Sequence, residues 1–139
     1  HMNDIQAALG LAQLKRLKQM NKKRKKIAQR YTKGLKALKQ VVTPPNDNQD
    51  YKSTWHIYCI KCFDRDELSV FLNKVGINTG VHYKPIHTYK CYGNKPYLPV
   101  AEKVFPKILS LPMHPGLKYK EVDYVIKKIW EFYEKRKAD

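Results

Sequence analysis

His82, Tyr83 and His87 fall within six residues of one another, between Gly80 and a stretch bent by Pro85. Two imidazoles and a phenol offer both donors and acceptors of hydrogen bonds. At the end of a strand and in the loop behind it, such groups can reach a ligand while a scaffold holds them. A lone histidine is more often structural, and spacing alone does not choose between the two roles. Cys59 and Cys62 have the separation of a metal or redox pair, with His56, His82, His87 and Cys91 as further ligands in principle. They sit in WHIYCIKCF, which reads as a strand, where residues three apart point to opposite faces. No second ligand pair has the spacing of a zinc finger, so no metal site is expected. No serine or cysteine has a recognisable activating partner, no glycine-rich phosphate loop occurs, and no carboxylates pair. By its own residues the chain can bind and orient, but it lacks a full set of reacting groups.

The elements that must hold these residues follow from periodicity. From Asn3 to about Lys39, Ile5, Leu9, Ala12, Leu17, Met20, Ile27, Tyr31, Leu35 and Leu38 recur at steps of three and four, the pattern of one helical face. Asn3 caps this helix, with Gln6 at the capping-box position. NKKRKK (residues 21–26) interrupts the stripe and reads as a bend or a solvent-crossing segment. TPPNDNQDYKST (residues 43–54) is a surface connection. Trp55–Phe63 is a buried strand. Asp64 and Glu67 form a capping box for a helix through Leu68, Phe71, Leu72 and Val75 that Gly76 stops. Ile77–Tyr83 is the second strand. A loop with Tyr92 follows, then a short helix from Pro99 to Phe105 limited by Pro106. Lys107–Met113 is the third strand, and the last helix runs from Tyr119 to about Lys135. The order predicts an α+β fold: a small three-stranded, mainly antiparallel sheet with helices on one face, preceded by a long N-terminal helix.

Length and composition bound the rest. The 139 residues suit one domain, and 42% hydrophobic content is ordinary for a globular fold. No apolar run reaches the ~18 residues of a membrane span, and no signal peptide opens the chain, so a soluble, cytoplasmic protein is expected. Three cysteines, an odd number, favour a reducing compartment. His1 and Met2 read as a cloning remnant ahead of a domain over residues 3–139 (long helix 3–39, α+β body 55–137), cut from a longer protein. The charge of +16 comes from 28 basic against 12 acidic residues, but 23 of the basic ones are lysine. Arginine is the bidentate phosphate reader, whereas lysine also accumulates as general surface solvation. Residues 22–26 wrap more than a full helical turn, which disfavours a groove-reading stripe, so a nucleic-acid-binding or scaffold domain is only the alternative reading.

Four stretches carry more. NDIQAALGLAQLKRL (3–17), GINTGVHYKPIHTYKCY (76–92), LPVAEKVFPKILSLPMHPGL (98–117) and EVDYVIKKI (121–129), in that order, closely resemble the C-terminal part of the DegT/DnrJ/StrS sugar aminotransferases. The resemblance implies a pyridoxal-phosphate enzyme of the aspartate-aminotransferase fold that moves an amino group, from glutamate, to a nucleotide-linked keto sugar. Polysaccharide or glycan precursor synthesis is the setting. It also implies that the cofactor-binding lysine lies in a large N-terminal domain outside this chain. No catalytic residue and no bound cofactor are therefore expected here, and the chain alone should be inactive. In that picture His82, Tyr83 and His87 are substrate-binding residues near the mouth of a cleft. There they would hydrogen-bond sugar hydroxyls or the diphosphate, with Lys84 adding charge and His114 and Tyr92 as lesser candidates. A homodimer or other homo-oligomer is expected. Lys118 stands where the family usually has Ser or Thr as a helix cap.

Overall fold

The computed structural model describes residues 1–93 and 96–138. Residues 94 and 95, in the loop expected after His87, and residue 139, the last of the expected domain, lie outside the described residues. Helix α1 (Asp4–Leu35) opens with the reciprocal cap read from the sequence: the Gln6 amide donates to Asn3 Oδ1 at 2.9 Å, and the Asn3 amide donates to Gln6 Oε1 at 3.1 Å. The helix runs unbroken through residues 21–26, which are largely exposed. It stops at Leu35, earlier than the stripe suggested. Its 32 residues span about 48 Å at roughly 1.5 Å of rise each.

Three strands form an antiparallel sheet in the order β1 (Val41–Val42), β2 (Tyr58–Cys62), β3 (Ile108–Leu111). Tyr58 pairs with Leu111, Ile60 with Leu109, and Val41 with Cys62. Tyr58, Ile60 and Cys62 are buried on one face, whereas Cys59 and Lys61 alternate onto the other. The predicted fold class stands: an α+β arrangement in which helices cover the inner face of a small sheet. Its strands are not all the predicted ones. Ile77–Tyr83 is not a strand. Only Gly80 bridges β3, opposite Ser110, because Gly80 exchanges both backbone hydrogen bonds with Ser110 and the chain then leaves the sheet edge. The third strand is Val41–Val42, too short for alternation to reveal. β2 also begins later than predicted, since Trp55 adopts a left-handed backbone (φ 53°) that a ladder does not accommodate.

Helix α2 (Arg65–Lys74) follows β2 at once, and the capping box predicted for Asp64 does not form. Asp64 itself makes the turn in the left-handed region (φ 49°), and its carboxylate faces Arg136 at 3.2 Å instead of the helix amides. Helix α3 (Pro99–Val104) gives way to a 3₁₀ turn holding Pro106, much as predicted. Helix α4 (Tyr119–Ala138) starts after Lys118, whose amide donates to Glu121 Oε2 at 2.7 Å. A lysine cannot accept from the first-turn amides, so only the glutamate half of a capping box remains.

The core is formed where the second half of α1 meets β2, α2 and α4. Ile27, Ala28, Tyr31 and Leu35 of α1 join Tyr58, Ile60, Leu68, Leu72, Leu109, Val122, Val125 and Ile129 in one buried cluster. At Gly34, α1 lies close against α4. A β-carbon there would meet the Ile126 side chain at 2.7 Å, and the Gly34 carbonyl accepts from Trp130 Nε1 at 2.9 Å. The two helices are further tied by Arg30, which grips Asp123 through both carboxylate oxygens at 2.5 and 2.7 Å. That guanidinium holds the Asp123 carboxyl below its usual range. The first half of α1 is outside this packing: Ile5, Leu9 and Leu14 are 74%, 61% and 63% exposed.

Cys62 is buried, Cys59 is half-buried on the opposite face, and Cys91 is exposed. Burial pushes the Cys62 thiol up from 9.0 to about 11. A raised folded pKa gives stability that is complete below the unfolded value and lost as pH rises through the folded one. Alkaline loss of stability should therefore set in between about pH 9 and 11, and less so in Cys62→Ala measured against its own neutral-pH stability. Iodoacetamide at about pH 8 should modify Cys91 first, Cys59 more slowly, and Cys62 only at the rate of unfolding. Early labelling of Cys62, followed by mass spectrometry, would contradict this packing.

Candidate functional site

The stretch from Gly80 to Tyr92 is carried by the exposed edge of β3. Some of its residues anchor it and others face outward. Gly80 is fixed to Ser110 by the backbone bridge, with distances of 3.1 and 2.7 Å. Two residues on, His82 folds back so that Nδ1 lies 2.9 Å from Ser110 Oγ. The peptide joining His82 to Tyr83 is cis, and the two rings meet edge to face with centroids 4.9 Å apart. Tyr83 is 73% exposed, and its hydroxyl has no partner among the hydrogen bonds of the described residues. Pro85 then starts a 3₁₀ turn over Ile86–Thr88, closed by the Thr88 amide and hydroxyl on the Pro85 carbonyl at 2.9 and 2.6 Å. Lys84 swings over the Tyr89 ring, its Nζ 5.1 Å from the centroid.

Of the three residues predicted to share a site, the fold brings two together and turns the third inward. His82 and Tyr83 form one exposed pair. His87 is 9% exposed, and its Nε2 lies 3.2 Å from Glu102 Oε1 in α3. Glu102 also accepts from the Leu98 amide at 3.3 Å. His87 thus joins the loop to the start of α3, and its ring is committed to that joint. Tyr92 is 61% exposed at the far end of the segment. His114 stands elsewhere, in the wall of a groove of about 640 Å³ shared with Asn78, Leu117, Lys120, Glu121 and Tyr124. None of His82, Tyr83 and His87 lines that groove. Sequence reasoning missed Ser110 and Glu102. Neither carried a signal of its own, since a serine in an apolar strand and a glutamate in a short helix are ordinary.

Other chemistry finds little support. Among the described residues no group of three or more His, Cys, Asp or Glu is placed to hold a metal ion. The basic segment is partly engaged internally: Arg24 donates to Asn21 at 2.6 Å, and Lys25 pairs with Asp47 at 2.7 Å. No helix among the described residues is long and apolar enough to cross a membrane.

The family model for DegT/DnrJ/EryC1/StrS aminotransferases matches residues 1–130. This chain belongs to that family. The "Pleiotropic regulatory protein" of Geobacillus stearothermophilus is 36% identical over 95% of this chain and 37% of its own length. The spore coat polysaccharide biosynthesis protein SpsC of Bacillus subtilis is 33% identical over 93% of this chain and 36% of its own. Among solved structures, Spr1654 of Streptococcus pneumoniae, assigned as a sugar aminotransferase and seen in a PLP form, superposes with a TM-score of 0.89 at 31% identity, over 97% of this chain and 36% of its own. The chain therefore spans little more than a third of the length of these relatives, and nearly all of it is family sequence.

Within this family member the His82–Tyr83 pair is exposed and anchored to the sheet, and His87 supports the loop behind it through Glu102 of α3. Removing the support has a calculable cost. Glu102→Ala leaves a buried imidazole nitrogen and the Leu98 amide without their acceptor, at roughly 1–3 kcal/mol. Amide exchange over residues 86–92 and 98–104 should accelerate in that variant, while exchange at Tyr58, Ile60 and Leu109 stays close to wild type. Unchanged exchange around α3 would show that the joint holds nothing in place.

Proposed function

We propose that this chain is the substrate-facing small domain of an aminotransferase that uses pyridoxal phosphate to aminate a nucleotide-linked keto sugar, with glutamate as amino donor, in polysaccharide or glycan precursor synthesis. One observation carries the reading. In a chain matched to that family over residues 1–130, His82 and Tyr83 stand exposed side by side on backbone bridged to the sheet. An imidazole and a phenol held in that way suit sugar hydroxyls or a diphosphate oxygen, and their contribution is orientation of the substrate, not bond-making. Lys84, beside them, adds positive charge toward the diphosphate.

In this reading the described residues do not hold the cofactor. An imine-forming lysine needs a sheltered pocket, and the lysines other than Lys95 and Lys137, which lie outside this comparison, are exposed at the surface apart from Lys128, which is half-buried and paired with Glu131 at 2.7 Å. The lysine and the groups that hold the cofactor's ring and phosphate are assigned to the part of the enzyme outside this chain. Free thiols at Cys59, Cys62 and Cys91 suit a cytoplasmic setting.

In the whole enzyme, His82→Ala or Tyr83→Phe should raise KM for the keto sugar by about tenfold, the loss of roughly one hydrogen bond to a bound ligand, with a smaller change in kcat. The half-reaction with glutamate should be unchanged. An equal loss in both half-reactions would remove the sugar-binding role. The 139-residue chain mixed with pyridoxal phosphate should neither develop the yellow absorbance of an internal imine nor transfer amino groups.

The homo-oligomer is part of the same reading. The exposed apolar side chains of Ile5, Leu9 and Leu14 on the free half of α1 belong against protein, and in a solution of this chain the available protein is a second copy. Sedimentation should give a mass above that of one chain, reduced to one chain by Leu9→Glu with Leu14→Glu. A wild-type monomer at high concentration with α1 still helical would overturn it.

A further inference from the structure

We propose that Gly80 and Ser110 are positioning residues for His82: the missing β-carbon of one and the buried hydroxyl of the other hold the imidazole in a single orientation before any ligand arrives. The proposal rests on the reading of His82 as a sugar-binding group and adds what aims it. A β-carbon built on Gly80 would lie 2.7 Å from His82 Cε1 and 3.4 Å from both ring nitrogens. The ring edge therefore occupies the space that any larger residue at position 80 would fill. The Gly80 backbone is not in the left-handed region, so its flexibility is not what the position uses. What it uses is the absence of a side chain.

Ser110 supplies the other contact. Its side chain lies on the sheet face away from the helices, opposite Cys59 in the register, and the residue is only 5% exposed. Its hydroxyl has one partner among the hydrogen bonds of the described residues, His82 Nδ1 at 2.9 Å. If the imidazole swung away, a buried hydroxyl would lose that partner, which is unfavourable. The backbone exchange between Gly80 and Ser110 sets the spacing of the two contacts, because it fixes position 80 directly across from position 110. The ring is thus held from below by van der Waals contact and from one side by a hydrogen bond. Nε2, which has no partner among the described residues, is left as the nitrogen available to a ligand. Holding the ring in advance lowers the ordering cost of binding.

The device can be read in the 139-residue chain with no ligand. Nuclear Overhauser contact between the His82 Hε1 proton and the Gly80 α-protons reports ring position, and the His82 Nδ1 nitrogen shift reports its hydrogen bond. Gly80→Ala should abolish the contact, because the added carbon meets only the end of a side chain that can swing out, so the fold should survive. Ser110→Ala should move the Nδ1 shift and weaken the contact, and Ser110→Thr, which keeps the hydroxyl, should restore both. Wild-type ring signals in either folded alanine variant would overturn the proposal, as would failure of Ser110→Thr to restore them. The outcome is independent of the sugar-binding role. If the ring signals respond as stated while His82→Ala leaves KM for the keto sugar unchanged in the whole enzyme, the binding role alone falls.

Discussion

Tyr58 is the constraint on which the other elements depend. It lies on the central strand with no exposed surface, so both its ring and its hydroxyl must be satisfied from within. The ring stacks on Tyr31 of α1 at 5.0 Å, and the hydroxyl pairs with Thr32 at 2.8 Å, one residue further along the same helix. Burial pushes the phenol up to about 12, so it stays neutral in ordinary conditions. Tyr31 in turn donates to the Pro112 carbonyl at 3.1 Å, just beyond β3. Two phenols thus tie α1 to both long strands, and the rest of the core closes around them.

The same residue determines the outer face. Tyr58 pairs with Leu111, and both point toward the helices. Side chains alternate along a strand, so Ser110 must point the other way, and a serine placed there meets whatever crosses the open face. What crosses is Gly80 and then His82. The position of the exposed pair is therefore a consequence of core register, transmitted one residue along β3. A slip of one residue would bury Ser110 among leucines and leave His82 without its partner.

α1 has two halves with different physics. From Ile27 onward it is packed, and Arg30 finds Asp123 in another element. Before that it is a capped, exposed helix whose leucines, Leu9, Leu11, Leu14 and Leu17, stand outside the buried cluster of the described residues. Relatives have close to two thirds of their length in addition to the part this chain matches. The overall charge of +16 has little bearing on the fold, since most of it sits on solvated lysines.

The local properties were legible in the sequence because they need only near neighbours. The Asn3–Gln6 cap, the long amphipathic stripe, the strand around Ile60, the helix stop before Pro106 and the family motifs can all be read along the chain. The separation of Cys59 from Cys62 also follows from strand alternation alone. Tertiary structure decided whatever depends on a partner distant in sequence. Val41–Val42 became a strand because β2 offers an edge, while Ile77–Tyr83, the better strand by composition, retained only one bridge. Asp64 gave up its predicted cap for a turn and an ion pair with Arg136. Two histidines of equal promise separated because Glu102 stands beside one and Ser110 beside the other, at distances of 15 and 28 residues along the chain. Periodicity reports which face of an element is buried, but not which side chain from another element will meet it, and here that meeting determines which imidazole remains free.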